Sequence, residues 1–179
     1  MNPYNIINFI ASKRPEKYSK EKIYKISKLL PIPIDNAYED QNGLQGQWKK
    51  NNEISIYENG IKNGSSITIY DSGKINSKGE YINGQKNGEW IHYDRYTGNL
   101  TSKGEYLNDR KIGIWEQYYS NKKPKSKGEY LNNRKIGIWE EYDTNGDLSA
   151  KGEYLKGYQH GQWEYYHPNT GKLWKIKEF

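Results

Sequence analysis

Between Ser77 and Gly171 the chain repeats itself, and the period restricts its possible folds more than any other feature. Lys-Gly-Glu-Tyr occurs at 78–81, 103–106, 127–130 and 151–154. Nine residues after each Tyr stands a Trp inside Gly-x-Trp: Trp90, Trp115, Trp139 and Trp163. The copies are 25, 24 and 24 residues apart. A fixed period of this length marks an array of one supersecondary unit, in which each copy buries its apolar face against its neighbours.

Inside a unit the pattern has period two. Leu100, Ser102, Gly104 and Tyr106 alternate with Thr101, Lys103, Glu105 and Leu107. After each Gly-x-Trp, residues such as Trp115, Gln117 and Tyr119 alternate with Ile114, Glu116 and Tyr118. Such alternation predicts strands with two distinct faces. Turn formers separate the two runs, and Asn/Gly-rich stretches such as Thr144–Asp147 separate the units. One hairpin per unit, joined in a meander, follows. The register is also predicted. Pairing Gly104 with Trp115 places Lys103 opposite Glu116, and the same rule sets Lys127 against Glu140 and Lys151 against Glu164. A shift of two residues would oppose Glu105 and Glu116, and like charges directly opposite are unfavourable. Gly79, Gly104, Gly128 and Gly152 are then expected beneath the rings of Trp90, Trp115, Trp139 and Trp163, an aromatic covering a bare strand. In the first regular unit Ile91 faces Lys78 and the charge rule lapses.

Degraded copies precede the regular ones. Tyr38 leads to Gly46-Gln-Trp48. Tyr57-x-x-Gly60-x-x-x-Gly64 matches Tyr81-x-x-Gly84-x-x-x-Gly88, but Ser66 stands where Trp belongs. Six units are therefore expected within residues 38–179, starting near Tyr38, Tyr57, Tyr81, Tyr106, Tyr130 and Tyr154. Gly171–Phe179 aligns with Gly98–Tyr106, with Lys175 and Lys177 replacing Ser and Gly. Lysines there suit an exposed edge strand.

Residues 1–37 read differently. Asn2-Pro3 has the form of a helix start. Tyr4, Ile6, Ile7, Phe9 and Ile10 share one helical face, and Ile23, Ile26, Leu29 and Leu30 share another before Pro31. Seven Lys/Arg against two Glu make residues 1–30 basic. The expectation is a short helical segment with an extended linker. It serves as a cap on the first sheet edge or as an arm that contacts a partner. The fold class is thus all-β, an elongated antiparallel meander of hairpins, with helices only near the N-terminus.

Composition narrows function chiefly by exclusion. The chain has no Val and only 2 Phe, against 18 Tyr and 6 Trp, so a single large aliphatic core is not expected. With no Cys there is neither a disulfide framework nor a thiolate metal site. His92, His160 and His167 read as solvated surface residues, without the partners of a metal site. The glutamates recur with the repeat, as sheet charge partners should, whereas an acid/base pair needs two distinct environments. No Gly-rich stretch precedes a helix in the manner of a phosphate-binding loop. No catalytic residue, metal or cofactor is expected. The net charge of +6 permits an acidic or nucleic-acid partner, but each ladder Lys has a Glu two residues on, which is the mark of a self-compensated face. No apolar run reaches membrane-span length, and residues 4–11 lack the features of a secretory leader. A cytoplasmic protein is expected.

The run Gly-x-Trp-x-x-Tyr, Asn-Gly, Gly-Glu-Tyr-x-x-Gly-x-x-x-Gly resembles the MORN repeat, in particular the bacterial variant of YwqK-type antitoxin proteins. The resemblance covers about Tyr38 to Phe179. The Tyr-x-x-Gly-x-x-x-Gly-x-Trp core is complete at 81–90 and 154–163, and Asp109 and Asn133 replace its first Gly in the other two units. The resemblance implies a curved antiparallel sheet that binds proteins, sometimes lipids.

On unbulged strands, Tyr93, Tyr118, Tyr142 and Tyr166 form a row on the face away from the Trp side chains. Ile114 and Ile138 lie beside it and Trp174 joins it. This row reads either as ordinary cross-strand packing or as an aromatic platform for a protein, since Tyr and Trp dominate binding hot spots. The favoured function is a non-enzymatic, stoichiometric binder of another protein, of the antitoxin, immunity or defence-enzyme-inhibitor kind. The alternatives are a self-associating scaffold and a basic nucleic-acid or lipid-surface binder.

Overall fold

The computed structural model describes residues 38–50, 52–168 and 170–179. The helical segments and linker expected before residue 38 lie outside these residues.

The described chain is β-structure throughout. Its strands are β1 (Tyr38–Asp40), β2 (Gly43–Lys50), β3 (Glu53–Glu58), β4 (Ile61–Ile69), β5 (Ile75–Ile82), β6 (Gln85–Tyr93) and β7 (Leu100–Leu107). They continue as β8 (Arg110–Tyr118), β9 (Pro124–Leu131), β10 (Arg134–Tyr142), β11 (Leu148–Leu155), β12 (Tyr158–Tyr166) and β13 (Leu173–Glu178). Strand order in the sheet equals chain order, and every neighbouring pair is antiparallel. Strands β2 to β13 form the meander, and the three-residue β1 extends it beyond β2.

The turns within hairpins are short because two residues at each tip accept positive φ. Asn108 and Asp109 have φ of 50° and 63°, Asn132 and Asn133 of 51° and 67°, and Leu107 pairs with Arg110 directly across the tip. Two consecutive left-handed residues make the tight hairpin turn that matches strand twist. This explains why Asp or Asn can replace the first Gly of the repeat, since both tolerate that conformation.

The predicted charge register holds. Lys103 faces Glu116, Lys127 faces Glu140 and Lys151 faces Glu164. The row continues between hairpins, where Glu116 meets Lys127 and Glu140 meets Lys151. The expected pairing holds for Gly152 and Trp163, and it is corrected for Gly104–Trp115 and Gly128–Trp139. In those hairpins the ladder jumps from Lys103↔Glu116 to Glu105↔Ile112 and from Lys127↔Glu140 to Glu129↔Ile136. Three residues, Gly113 to Trp115, thus oppose the single Gly104. The cause is the Gly of Gly-x-Trp: Gly88, Gly113, Gly137 and Gly161 have φ of 67°, 61°, 61° and 60°. Such a left-handed glycine lets one strand bulge without steric cost. Two inserted residues preserve the alternation, so the faces are not exchanged.

The bulge carries the Trp ring across its own hairpin. A Cβ added to Gly104 would lie 2.3 Å from Trp115 Cδ2, and one added to Gly128 would lie 2.2 Å from Trp139 Cδ2. Gly79 and Gly152 are covered likewise by Trp90 and Trp163. Each indole N–H donates to the carbonyl after the covered glycine, from Trp115 to Glu105 at 3.1 Å and from Trp139 to Glu129 at 3.2 Å. On the other side Trp90, Trp115 and Trp139 face the glycine of the next hairpin, Gly104, Gly128 and Gly152, whereas Trp163 faces Lys177 of the last strand. Tyr81, Trp90, Tyr106, Trp115, Tyr130, Trp139, Tyr154 and Trp163 then alternate edge to face, with centroids 5.1–6.2 Å apart. Such aromatic pairs contribute about 0.5–1.5 kcal/mol each beyond the area they bury. Trp115, Trp139 and Trp163 are 0% exposed. A single sheet thus buries its largest side chains within its own surface.

Candidate protein-binding face

Alternation gives the sheet two unlike faces. The indole face carries the aromatic ribbon and a row of lysines that close it. Lys86, Lys111 and Lys135 hold Nζ at 4.2, 4.0 and 4.0 Å from the rings of Trp90, Trp115 and Trp139. Each also lies over the next Tyr, at 5.2, 5.2 and 4.6 Å. Burial lowers the pKa of all three ammonium groups. Such contacts contribute about 0.5–2 kcal/mol depending on desolvation. These lysines were missed in the sequence, although each stands five residues after its repeat Tyr, a spacing as regular as that of the Trp. His92 also belongs here, which corrects its reading as a solvated residue. It stacks between Trp90 and Trp115, 6.4 Å from each, because it follows Trp90 by two residues on the same face. Burial, then the fields of Lys86 and Lys111, lower its pKa to about 4.

The opposite face carries the charge ladder and the predicted Tyr row. Tyr118 donates its phenol proton to Glu116 Oε2 at 2.6 Å, and Tyr142 donates to Glu140 Oε2 at 2.8 Å. Tyr166 makes the same contact with Glu164. These bonds tie the Tyr row to the ladder, and Tyr118, Tyr142 and Tyr166 are only partly exposed. Glu116 also accepts Lys103 at 2.9 Å and Lys127 at 3.2 Å. The Tyr118 hydrogen bond and then that of Lys103 bring its pKa down to about 2. Burial and the Glu140 hydrogen bond raise Tyr142 to about 12. Tyr93 occupies the corresponding place in β6, pairing with Leu100.

The assumption of unbulged strands is corrected between hairpins. Register slips by one residue at Tyr93, Tyr118, Tyr142 and Tyr166. The extra residue lies on the partner strand, at Thr101, Lys125, Ser149 and Trp174, so the Tyr residues keep their face. Trp174 is itself a bulged residue, 69% exposed, rather than a regular member of the row. Ile114 and Ile138 lie opposite Glu129 and Glu153, at 53% and 55% exposure. The same face holds Leu107, Leu131 and Leu155, also exposed, two residues beyond Glu105, Glu129 and Glu153. Sequence reasoning left these leucines out, although their alternation with the ladder Lys and Glu placed them there. Leu107, Ile114, Leu131, Ile138 and Leu155 therefore form an aliphatic band across five adjacent strands.

Among the described residues, no group of His, Asp and Glu side chains converges as a metal site, and no helix is long and apolar enough to cross a membrane.

No curated protein matches the chain. Among solved structures it is similar to TarM, at 12% identity and a TM-score of 0.30 over 97% of this chain and 24% of that one. A mutant of S. aureus TarM, in complex with Fondaparinux, alpha-GlcNAc-glycerol and UDP, gives 11% identity and a TM-score of 0.32 over 98% of this chain and 25% of that one. A GtfA/B complex bound to UDP and GlcNAc gives 11% and 0.21 over 84% and 25%. The chain spans about a quarter of the length of these chains, and TM-scores this low carry no argument. The profile of the MORN repeat variant matches residues 62–83, 111–132 and 135–156. Each matched segment spans two adjacent strands of the meander, and together the three matches support a MORN-type repeat protein.

Proposed function

We propose that this chain is a non-enzymatic repeat module that binds another protein stoichiometrically through its ladder face. MORN repeats are commonly protein- or lipid-binding modules, and the observation favouring protein here is the aliphatic band. Five side chains from Leu107 to Leu155 stay about half exposed or more on a face otherwise charged, while the aromatic residues of the other face are closed over. Exposed apolar rows rimmed by charge mark interaction sites. The Tyr–Glu hydrogen bonds hold Tyr118 and Tyr142 in place beforehand, so little side-chain entropy is lost on binding. In the cell such a binder acts in the cytoplasm as an antitoxin, an immunity protein or an inhibitor of a defence enzyme, the class to which the YwqK-type resemblance points. Affinity capture with mass spectrometry, together with light scattering of the protein alone, tests this reading. A monomer that retains one stoichiometric protein supports it. A self-associating chain that retains none replaces it with a scaffold.

A further inference from the structure

The hairpin tips dock on one another in series, and the link at Gly157 differs from those at Asp109 and Asn133. An earlier link, from Gly84 N–H to the Lys62 carbonyl at 2.8 Å, also has a glycine, but there the Lys62 ammonium pairs with Glu53 at 2.6 Å. The N–H groups of Asp109, Asn133 and Gly157 donate to the carbonyls of Lys86, Lys111 and Lys135 at 3.1, 3.1 and 3.0 Å. The return bond is made by a side chain. Lys86 N–H donates to Asp109 Oδ1 at 2.8 Å, and Lys111 N–H donates to Asn133 Oδ1 at 2.8 Å. At the third link the equivalent residue is Gly157, which has no side chain to accept from Lys135. A Cβ added there would meet only Arg134 Cβ and Cγ, at 3.8 and 3.9 Å. The position is open and bounded by ordinary contacts. A shallow cup surrounds it, lined by Tyr130, Arg134, Lys135, Lys156, Tyr158 and His160 among others, with no Asp or Glu. Lys156 stands where the two preceding tips have Asn108 and Asn132. Among the described residues Lys135 makes no ion pair, and its ammonium rests on Trp139 and Tyr154.

We propose that the notch at Gly157 binds a carboxylate, an aspartate side chain from an acidic segment of a protein partner, which takes the place that Asp109 fills beside Lys86. Asp109 shows the chemistry that fits: an acceptor oxygen on the backbone N–H and a negative charge near the lysine. Three cations, Arg134, Lys135 and Lys156, line a cup that holds no carboxylate of its own, with Glu141 acting on Lys135 from outside it, so a neutral amide such as that of Asn133 adds no charge to balance them. A single exposed carboxylate gains little, about 0–1 kcal/mol for a surface ion pair. Several carboxylates on one chain raise the effective concentration at the cup, which favours an acidic polypeptide over a free small acid. The proposal rests on the protein-binding reading only for the source of the carboxylate. The site lies at the hairpin edge and not on the aliphatic band.

The test is a titration of the full isotope-labelled chain, followed by backbone amide resonances, with a blocked tri-aspartate peptide and separately with acetate. The Lys135 and Gly157 amides should shift saturably with the peptide while those of Lys86 and Lys111 stay still. Acetate should need at least about tenfold higher concentration, since it lacks linked carboxylates. Gly157→Asn, supplying the side chain found at Asn133, should abolish the response. Ile114→Ser/Ile138→Ser should leave it intact, which separates this site from the ladder face. No saturable shift at Lys135, equal shifts at all three lysines, or acetate acting as readily as the peptide would each overturn the proposal. The comparison among the three links of the native chain decides even if Gly157→Asn fails to fold.

Discussion

The stretch from β3 to β4 and the stretch from β5 to β12 solve the same problem with different side chains. In the regular stretch a bulge glycine presents a Trp that covers a bare glycine across the hairpin. In the earlier hairpin Ser66 occupies the Trp position and pairs with Ser55 where the covered Gly belongs. The two hydroxyls hydrogen-bond at 2.7 Å, both buried. Glu53 Oε1 accepts from Ser55 at 2.9 Å, from Ser66 at 3.0 Å and from Lys62 at 2.6 Å. A polar cluster thus stands on the indole face where the ribbon would continue. On the other face Ile54, Ile67 and Ile69 form a buried aliphatic cluster. The difference teaches that from β3 to β12 Trp and its covered Gly are one device: both are present or both are replaced.

Substitutions in both stretches probe that comparison. The largest effect is expected from Trp139→Ala, which removes a fully buried ring in contact with Tyr130, Tyr154 and Lys135. It should cost about 3–5 kcal/mol in denaturant unfolding. Ser66→Ala should cost less, about 1–3 kcal/mol, because it leaves Ser55 and Glu53 short of a buried partner. Ser66→Trp alone overpacks against Ser55 and should cost about 1–3 kcal/mol. Adding Ser55→Gly should recover part of that loss, and strictly additive costs would show that Trp and Gly are not coupled. Gly128→Val is the mirror experiment. Its side chain would displace the Trp139 ring, at a cost of about 1–3 kcal/mol, while the same change at Gly113 strains only the bulge.

The smallest effects are electrostatic. The pKa of His92 is lowered from 6.5 to about 4, so the unfolded chain takes up that proton first. Its contribution is present above pH 6.5 and is lost as the pH falls toward 4. His92→Gln should flatten the stability curve in that window. Glu116 acts lower, from 4.5 down to about 2, where its ion pairs and the Tyr118 bond are lost. Glu116→Gln should leave the slope between about pH 5.5 and 6.5 unchanged.

The meander was legible because Trp, Gly and Tyr recur at fixed spacing, and the register because one slip opposes Glu105 and Glu116. The bulges were not legible. Gly113 reads equally as turn punctuation, and only its φ reveals that two residues are inserted. The lysines over the indoles stood at constant spacing, but Lys is so common on solvated strands that spacing alone did not mark Lys111 and Lys135 as part of the ribbon. On the candidate face, Tyr118 and Tyr142 were placed by alternation, while their hydrogen bonds to Glu116 and Glu140 depend on side-chain conformation. That tether shifts the weight of binding toward Ile114, Ile138 and their leucine neighbours. Tyr142→Ala should still cost more than about 1 kcal/mol of affinity. Deletion of residues 1–31 should leave the sheet able to bind.

The most direct measurement is quantitative capture with the native chain and with Ile114→Ser/Ile138→Ser as parallel baits. Both substitutions lie on exposed side chains, so the melting temperature should move by no more than a few degrees, as surface changes do. The account predicts that the native chain retains one stoichiometric protein and that the folded variant loses it. Retention of that protein by the folded variant at native stoichiometry, or a native bait that retains none, would contradict it.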